Sequence, residues 1–299
     1  MRSVLVLAGL VFTTPMFSQM VRLEADTDDP LLLRFDPEFI RRNNVRAVSG
    51  EISVKREGEP MRSRNDRSHY RFDASGLTNY TNRSFGKPGS GRDTASVMWI
   101  HDAYGRPVEQ LRNDLNGHFA LRDSLDAEGR SIRQTYVRIS NLSTDRYQLV
   151  RGEETLISEE RFTYTTVNDS VRTRTWLNDR GLPYRVRTYQ NDQWGYLRLI
   201  EDHYLVTGRR GRITFRYAEK GRLAERIEQP DLNAASTTRF EWRYDAAGNV
   251  TLCDQYRNGQ RVRHSEYLYE ERTMFLKAII TKDDETNLIH IERFTTEKR

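Results

Sequence analysis

A short unit recurs along this chain: an aromatic or apolar residue, then Asp-x-x-Gly, then usually Arg or Asn. The clearest copy runs from Tyr244 to Asn249 and contains Asp245 and Gly248. Looser copies contain Asp73 and Gly76, Asp102 and Gly105, Asp126 and Gly129, Gly181 after Asn178, and Gly221 after Tyr217. The six glycines are separated by 29, 24, 52, 40 and 27 residues. An internal period of this size is typical of a repeat array and constrains the whole fold.

Each unit has the chemistry of a tight turn between two strands. An Asp side chain accepts hydrogen bonds from the backbone N–H groups that follow it, and a glycine three residues later adopts the left-handed conformation that other residues resist. Such a turn joins antiparallel strands, often through a glycine bulge. We therefore interpret the aspartates of the units as turn residues and not as ligands or catalytic acids.

The residues between the units alternate between apolar and polar. Trp242 and Tyr244 alternate with Glu241 and Arg243, and the stretch from Ile213 to Tyr217 follows the same rule. Alternation with a period of two residues indicates strands with one buried face and one solvent-exposed face. The sequence predicts an all-β protein, an antiparallel meander of successive hairpins that forms an elongated or curved sheet. A closed β-barrel-like array is the alternative, because closure removes exposed strand edges.

The unit resembles the YD repeats of Rhs-type bacterial surface and secreted proteins. The resemblance covers about residues 70–299, and only Tyr244 to Asn249 matches the pattern of that family closely. The Pro-rich junction that precedes a toxin in a full Rhs core is missing. The resemblance implies a secreted bacterial β-repeat protein and does not imply a toxin.

The N-terminus has the pattern of a secretory signal peptide. Arg2 supplies the positive charge, residues 4–12 form an apolar run, and a cut is expected near Ser18-Gln19-Met20. No cysteine lies near that cut, so we expect export to the periplasm, the cell surface or the medium without a lipoprotein anchor. The predicted organisation is a signal peptide at 1–19, a segment with one short helix at 20–44, and a single hairpin-repeat domain at 45–299. Asp36 is the predicted N-cap and Pro37 the first residue of that helix.

Charge and cysteine content exclude several classes of site. The net charge is +5 and falls to +4 without Arg2, and basic runs are interleaved with acids, which indicates solvated strand faces and not nucleic-acid binding. Cys253 is the sole cysteine, so disulfides within the chain and cysteine-cluster metal sites are excluded. Its expected role is that of a small buried apolar residue. No apolar segment of the mature chain is long enough for a transmembrane helix.

The motifs of enzymes are also missing from the sequence. The six histidines form no His-Glu-x-x-His pair, and no Gly-x-Ser-x-Gly elbow is present. His101 and Asp102 are adjacent, but Asp102 already has a turn role and neighbouring strand residues point to opposite faces. We expect no metal and no cofactor. The hypothesis of glycoside hydrolysis by two carboxylates stays open, because the distance between two carboxylates cannot be read from the sequence.

Exposed aromatic residues are the candidate ligand-facing groups. Trp194 and Tyr196 fall in an expected hairpin tip, and Trp99 and Tyr104 lie in or beside another strand. The main hypothesis is a non-enzymatic exported binding or structural module whose partner is a glycan, the cell wall or a surface protein. One alternative is a secreted polysaccharide hydrolase with two carboxylates about 5 to 10 Å apart. Another is an accessory component of an Rhs-like toxin system, which rests on the resemblance alone.

Overall fold

A computed structural model describes residues 19–56, 58–85, 93–114, 116–144 and 149–299. Within these ranges the chain has one short α-helix, α1 (Pro37–Arg42), one 3₁₀ turn (Glu219–Gly221) and eighteen β-strands. The strands are β1 (Val45–Arg56), β2 (Arg62–Phe72), β3 (Thr78–Phe85), β4 (Asp93–His101), β5 (Pro107–Asp114), β6 (Gly117–Leu125), β7 (Ser131–Asn141), β8 (Arg151–Asn168), β9 (Val171–Leu177), β10 (Pro183–Asn191), β11 (Leu197–Tyr204), β12 (Arg210–Tyr217), β13 (Leu223–Gln229), β14 (Thr238–Tyr244), β15 (Val250–Arg257), β16 (Gln260–Tyr269), β17 (Leu276–Asp283) and β18 (Leu288–Lys298).

The strands form a closed antiparallel barrel. Each strand pairs with the strand before it and the strand after it, and β1 pairs with β18 over its whole length, from Val45 opposite Lys298 to Arg56 opposite Leu288. The expected all-β class is confirmed, and the expected open meander is wrong, whereas the closed alternative fits. The physical reason is that closure gives β1 and β18 a second partner each, so that no row of backbone donors and acceptors is left at an edge.

The recurring Asp-x-x-Gly unit marks alternate turns of this barrel. In the β2–β3 turn, Asp73 N–H donates to Leu77 O at 3.0 Å and Gly76 N–H donates to Asp73 O at 3.1 Å. The turns with Asp102, Asp126 and Asp245 have the same pattern and join an even-numbered strand to the next odd-numbered one, so they lie at one end of the barrel. The Asn178 turn joins β9 to β10 and lies at the other end. The period of 24 to 29 residues is therefore one pair of strands and its two turns.

The resemblance to YD-repeat proteins of the Rhs type is wrong. The turn sequence that carries the resemblance is one that any long antiparallel hairpin can use. The chain itself closes into an eighteen-stranded barrel. The hypothesis of an accessory role in a toxin system rests on that resemblance alone, so it has no remaining support.

Residues placed opposite each other by the strand register lie on the same face of the sheet. One face, named here the covered face, packs against residues 19–44 and carries most of the core. Its two clusters include Val48, Phe72 and Leu276 in one, and Ile200, Phe215, Phe240, Trp242 and Cys253 in the other. Cys253 is 1% exposed, so the expectation of a buried apolar role is confirmed. Burial raises the pKa of its thiol to about 12, and Asp254 adds to the rise.

The other face, named here the opposite face, is largely charged. Arg212 pairs with Glu201 at 2.7 Å and Arg216 with Glu225 at 3.4 Å. A small third cluster on this face joins Leu111, Ala120, Val137 and Ile139 to Leu149 of the β7–β8 connection. Exposed ion pairs of this kind contribute little to stability, so the covered face supplies most of the packing energy.

The segment before the barrel is held by a bridge between Val21 and Phe35 and by Asp36 N–H, which donates to Met20 O at 3.0 Å. The predicted helix is confirmed. Asp36 caps it by accepting a hydrogen bond from Phe39 N–H at 2.8 Å, and Pro37 is its first residue. Phe39 and Ile40 are its buried side chains, which fix α1 against the barrel.

One sequence prediction, the signal peptide at 1–19, falls on residues that the structure does not describe, apart from Gln19. No helix in the described ranges is long and apolar enough to span a bilayer.

Candidate functional site

A cleft of 700 Å³ lies on the opposite face where β18, β1, β2, β3 and β4 run side by side. The strand register explains which side chains meet there. Glu297 is opposite Ala47, Ala47 is opposite Arg71, Arg71 is opposite Tyr80, and Tyr80 is opposite Met98, so that five strands each place one residue in a single row. Cross-strand neighbours of this kind are close enough for their side chains to touch.

The second residue of the row, Ala47, is its smallest. Ala47 is 3% exposed and has longer side chains on both sides. A methyl group between Glu297 and Arg71 leaves a depression, which Tyr80 and Met98 continue as an apolar wall. The cleft exists because a small residue stands on β1, between the longer side chains of β18 and β2.

Arg71 provides the positive charge of the cleft. Its Cζ lies 4.0 Å from the ring centroid of Tyr80, which is within the range of a cation–π contact. Among the described residues no carboxylate forms an ion pair with Arg71, whereas Arg46 on the same wall is paired with Glu297. The guanidinium of Arg71 is therefore oriented by an aromatic ring and keeps its charge for another partner.

Two further polar groups stand beside Arg71. His69 Nδ1 lies 2.8 Å from Ser49 Oγ, and the His69 ring packs edge-on to Tyr80 with 6.4 Å between centroids. The side-chain oxygen of Asn79 is buried and has no hydrogen-bond donor in the described part of the chain. A buried acceptor without a donor costs free energy, and a donor on a bound molecule would remove that cost.

The cleft has the composition of a binding site and not of a catalytic one. Glu297 is its one carboxylate, and it is already paired with Arg46, so the carboxylate pair required by the glycoside hydrolase hypothesis is not present among its described lining residues. Ser49 and His69 do form a close pair. However, Ser49 lies inside β1, whose backbone is bonded to β2 and β18, which leaves no free N–H groups to stabilise an oxyanion.

A second cavity, of 570 Å³, lies between the ends of β6, β7 and β8 and is lined by His118, Arg138 and Glu153, among others. Its described lining residues also include a single carboxylate, that of Glu153. Across the described ranges no group of three or more His, Cys, Asp or Glu side chains is placed to hold a metal ion.

Of the aromatic residues predicted to face a ligand, the cleft contains Trp99. Tyr104 is 84% exposed on the β4–β5 turn, and Trp194 is 74% exposed on the β10–β11 turn. Tyr196 follows Trp194 and packs against Tyr217 with 5.0 Å between ring centroids. The two turns lie at the same end of the barrel but six strands apart, so the structure does not bring these aromatics together.

The residues assigned to turns are placed in turns. Gly76, Gly105, Gly129, Gly181, Gly221 and Gly248 all have positive φ. The Oδ1 atoms of Asp73, Asp102, Asp126 and Asp245 each accept a hydrogen bond from the backbone N–H four residues later. The pKa of Asp102 is below its usual value. Burial acts to raise it, and the hydrogen bonds and charge from Arg106 outweigh that effect.

Sequence reasoning did not select His69, Arg71 or Met98. The alternation in β2 was available as a signal, because His69 and Arg71 fall on one face of a strand. The missing information was the register, which decides that Arg71 meets Tyr80 and Ala47.

Comparison with known proteins identifies no family. No family model matches the chain, and no curated protein matches it. Among solved structures, it is similar to a porin-like protein from Bacteroides uniformis, at 11% identity over 85% of this chain and 97% of the other, with a TM-score of 0.39. It is also similar to a LolA-superfamily protein from Nitrosomonas europaea, at 9% identity over 88% and 91%, with a TM-score of 0.29.

A third similar structure is a DUF1329-family protein from Desulfovibrio piger, at 10% identity over 86% of this chain and 87% of the other, with a TM-score of 0.22. At these identities and TM-scores, the likenesses carry no argument about function.

Proposed function

We propose that this protein is a non-enzymatic binding protein, and that the cleft of β18 and β1–β4 takes a small anionic ligand with a flat or apolar part. The proposal includes export to the periplasm or the cell surface, on the basis of the signal peptide predicted from the sequence. The observation that carries it is Arg71, a guanidinium held over Tyr80 and not neutralised by any described carboxylate.

The charge of the ligand is argued from Arg71. A guanidinium binds a carboxylate, sulfonate or phosphate through two parallel hydrogen bonds, and charge-assisted bonds of this kind are stronger than neutral ones. Arg46 does not compete for the ligand because Glu297 neutralises it. One negative group is therefore the expected complement.

The apolar part of the ligand is argued from the walls. Tyr80 and Met98 are the apolar side chains of the row that lines the cleft, and a thioether beside an aromatic ring adapts to flat apolar molecules. The volume of 700 Å³ falls in the range of small-molecule sites, which are concave, mostly apolar and carry a few polar groups that fix orientation.

The test uses two dyes that differ in charge. The sulfonate 1-anilinonaphthalene-8-sulfonate and its neutral counterpart N-phenyl-1-naphthylamine are titrated by fluorescence against the mature chain. We expect saturable one-site binding of the sulfonate. Arg71→Met keeps the length of the side chain and removes its charge, and it should weaken sulfonate binding about tenfold, or about 1.4 kcal/mol, with little effect on the neutral dye.

Arg67→Met is the matched control. Arg67 lies on the same strand and is paired with Glu51 at 3.0 Å outside the cleft, so its loss changes the net charge equally. Equal weakening of sulfonate binding by the two variants, or the absence of saturable binding to the wild-type chain, would contradict the proposal. Hydrolytic turnover of a bound molecule would contradict the non-enzymatic part of it.

A further inference from the structure

Four arginines lie together on the covered face of β9 and β10, far along the sheet from the cleft. Arg174 is opposite Arg187 in the strand register, Trp176 is opposite Arg185, and Arg172 is opposite Tyr189. This group of Arg172, Arg174, Arg185 and Arg187 is named here the arginine patch. Like charges placed directly opposite each other destabilise a sheet, so the pairing of Arg174 with Arg187 requires an explanation.

Two aromatic rings lie within cation–π distance of each of two of these guanidiniums. Arg174 Cζ lies 3.8 Å from the ring centroid of Phe162 and 4.5 Å from that of Trp176. Arg185 Cζ lies 4.4 Å from the centroid of Trp176 and 5.1 Å from that of Tyr204. Contacts of this kind restrict the two side chains before anything binds, so less conformational freedom is lost when their N–H groups donate to a ligand.

The carboxylates around the patch neutralise only part of its charge. Asp202 Oδ1 accepts hydrogen bonds from Arg185 Nε at 2.8 Å and Arg187 Nε at 2.9 Å. Asp26, from the segment that precedes the barrel, lies 3.7 Å from Arg187. Among the described residues, two carboxylates therefore form ion pairs with a patch of four guanidiniums, which leaves a surplus of two positive charges.

Arg174 is the member of the patch with a buried donor that is not used. Within the described residues it forms no ion pair and no hydrogen bond, and its Nε is buried without a partner. A buried charged donor that lacks an acceptor is costly, and hydrogen bonds from a bound anion would offset that cost. Arg172, two residues away on the same face, is exposed, so the patch is open to solution on that side.

From these observations we propose that the arginine patch is a binding site for a doubly charged oxyanion of the phosphate type, with Arg174 as its principal donor and Arg187, opposite it in the register, as the neighbouring positive charge. Asp26 occupies part of the same site and acts as a competing internal anion. The site is independent of the cleft, because it lies on the other face of the sheet and shares no strand with it.

The test is calorimetric titration of the mature chain with inorganic phosphate. Arg174→Met keeps the packing between Phe162 and Trp176, removes the charge, and should lower phosphate affinity at least tenfold. Arg161→Met is the matched control. Arg161 is adjacent to Phe162, points to the opposite face and is paired with Glu159 at 3.0 Å, so its loss should change affinity less than twofold.

Asp26→Asn supplies a second variant that does not depend on removing a packed side chain. The side chain of Asp26 is 44% exposed, and its neutralisation should raise phosphate affinity two- to threefold by removing the competing anion. A wild-type chain that binds no phosphate, equal losses in Arg174→Met and Arg161→Met, or an Asp26→Asn variant with weaker binding would each overturn the proposal.

The same chemistry can come from a free phosphate or from a lipid headgroup. Vesicles that contain phosphatidic acid are therefore titrated in parallel with inorganic phosphate. Binding of phosphate without binding of vesicles identifies a soluble oxyanion as the ligand. Binding of both phosphate and vesicles that is lost in Arg174→Met identifies a lipid headgroup. Binding of vesicles that is unchanged in Arg174→Met and absent with phosphate would contradict the assignment of the site.

Discussion

Gly76, in the turn between β2 and β3, is in contact with Pro37 at the start of α1. A Cβ atom on Gly76 would overlap the carbonyl oxygen of Pro37 and lie 3.0 Å from the backbone nitrogen of Arg41. Gly76 also has a φ of +89°. This glycine therefore meets two requirements: the turn needs its left-handed backbone, and the helix needs the space that a side chain would fill.

That contact predicts unequal effects of two Gly-to-Ala substitutions. Gly181 has a similar φ of +75°, but a Cβ there would meet nothing within 4 Å. We expect Gly181→Ala to cost about 1 kcal/mol through backbone strain alone. Gly76→Ala should cost about 3 kcal/mol or more, because overlap with backbone atoms is added to the strain. Thermal or urea unfolding of both variants measures the difference, and equal losses would contradict the role of the helix contact.

Arg226 links the segment before the barrel to β13, and its removal should be strongly destabilising. Its Nη1 donates to Ala25 O at 3.1 Å, and its Nε lies 2.7 Å from Glu228 Oε1, although not in hydrogen-bonding geometry. The Arg226 side chain is 3% exposed. Arg226→Met leaves Glu228 without its partner, and breaking a buried pair in this way costs about 3 to 5 kcal/mol.

The loss of stability expected for Arg226→Met should depend on pH through Glu228, and substitution of Glu228 supplies a control. Burial already raises the pKa of Glu228, and Arg226 opposes the rise. Without Arg226 the pKa should rise further, so the loss of stability in Arg226→Met should be smaller at pH 5 than at pH 8. The double variant Arg226→Met/Glu228→Gln should recover part of the loss at pH 8. Urea unfolding at the two pH values tests this, and a loss independent of pH would refute it.

His290 should make the barrel less stable as the solution becomes mildly acidic. Burial lowers its pKa below the usual 6.5, and the positive charges of Arg64, Arg263 and Arg83 lower it further, whereas Asp283 acts in the other direction. As pH falls below about 6.5, the unfolded chain binds a proton that the folded chain does not, so stability falls until the lower folded pKa is reached. His290→Gln should remove this part of the pH dependence. Identical stability profiles of the two proteins between pH 7.5 and 5 would count against it.

Cys253 should be unreactive in the folded protein. Its side chain is 1% exposed, and its pKa of about 12 leaves almost no thiolate at neutral pH. Because the thiolate is the reactive form, a disulfide reagent at pH 8 should label Cys253 only after unfolding. The measurement is absorbance on reaction with such a reagent with and without denaturant. Rapid labelling of the native chain would show that this part of the covered face opens readily.

The sequence by itself determined the local features of this protein. Asp73 and Gly76 specify a turn through hydrogen bonds and a φ value that lie within five residues, and Asp36 and Pro37 specify the start of α1 in the same way. Period-two alternation around Trp242 identifies strands, because the side-chain direction of a strand depends only on its own backbone. These features are encoded by neighbours in the chain and can be read without knowledge of the fold.

Only the tertiary structure decided that the barrel closes and where its sites lie. The pairing of Ala47 with Glu297 joins residues 250 positions apart, and it results from the twist and register summed over eighteen strands and not from any single residue. The same register places Arg71 on Tyr80 in the cleft and Arg174 beside Arg187 in the arginine patch. Registers change with each bulge, and one shifted residue would send these side chains to the other face. The recurring unit therefore marks turns between strands of the barrel, and the candidate sites lie on the faces of the sheet between those turns.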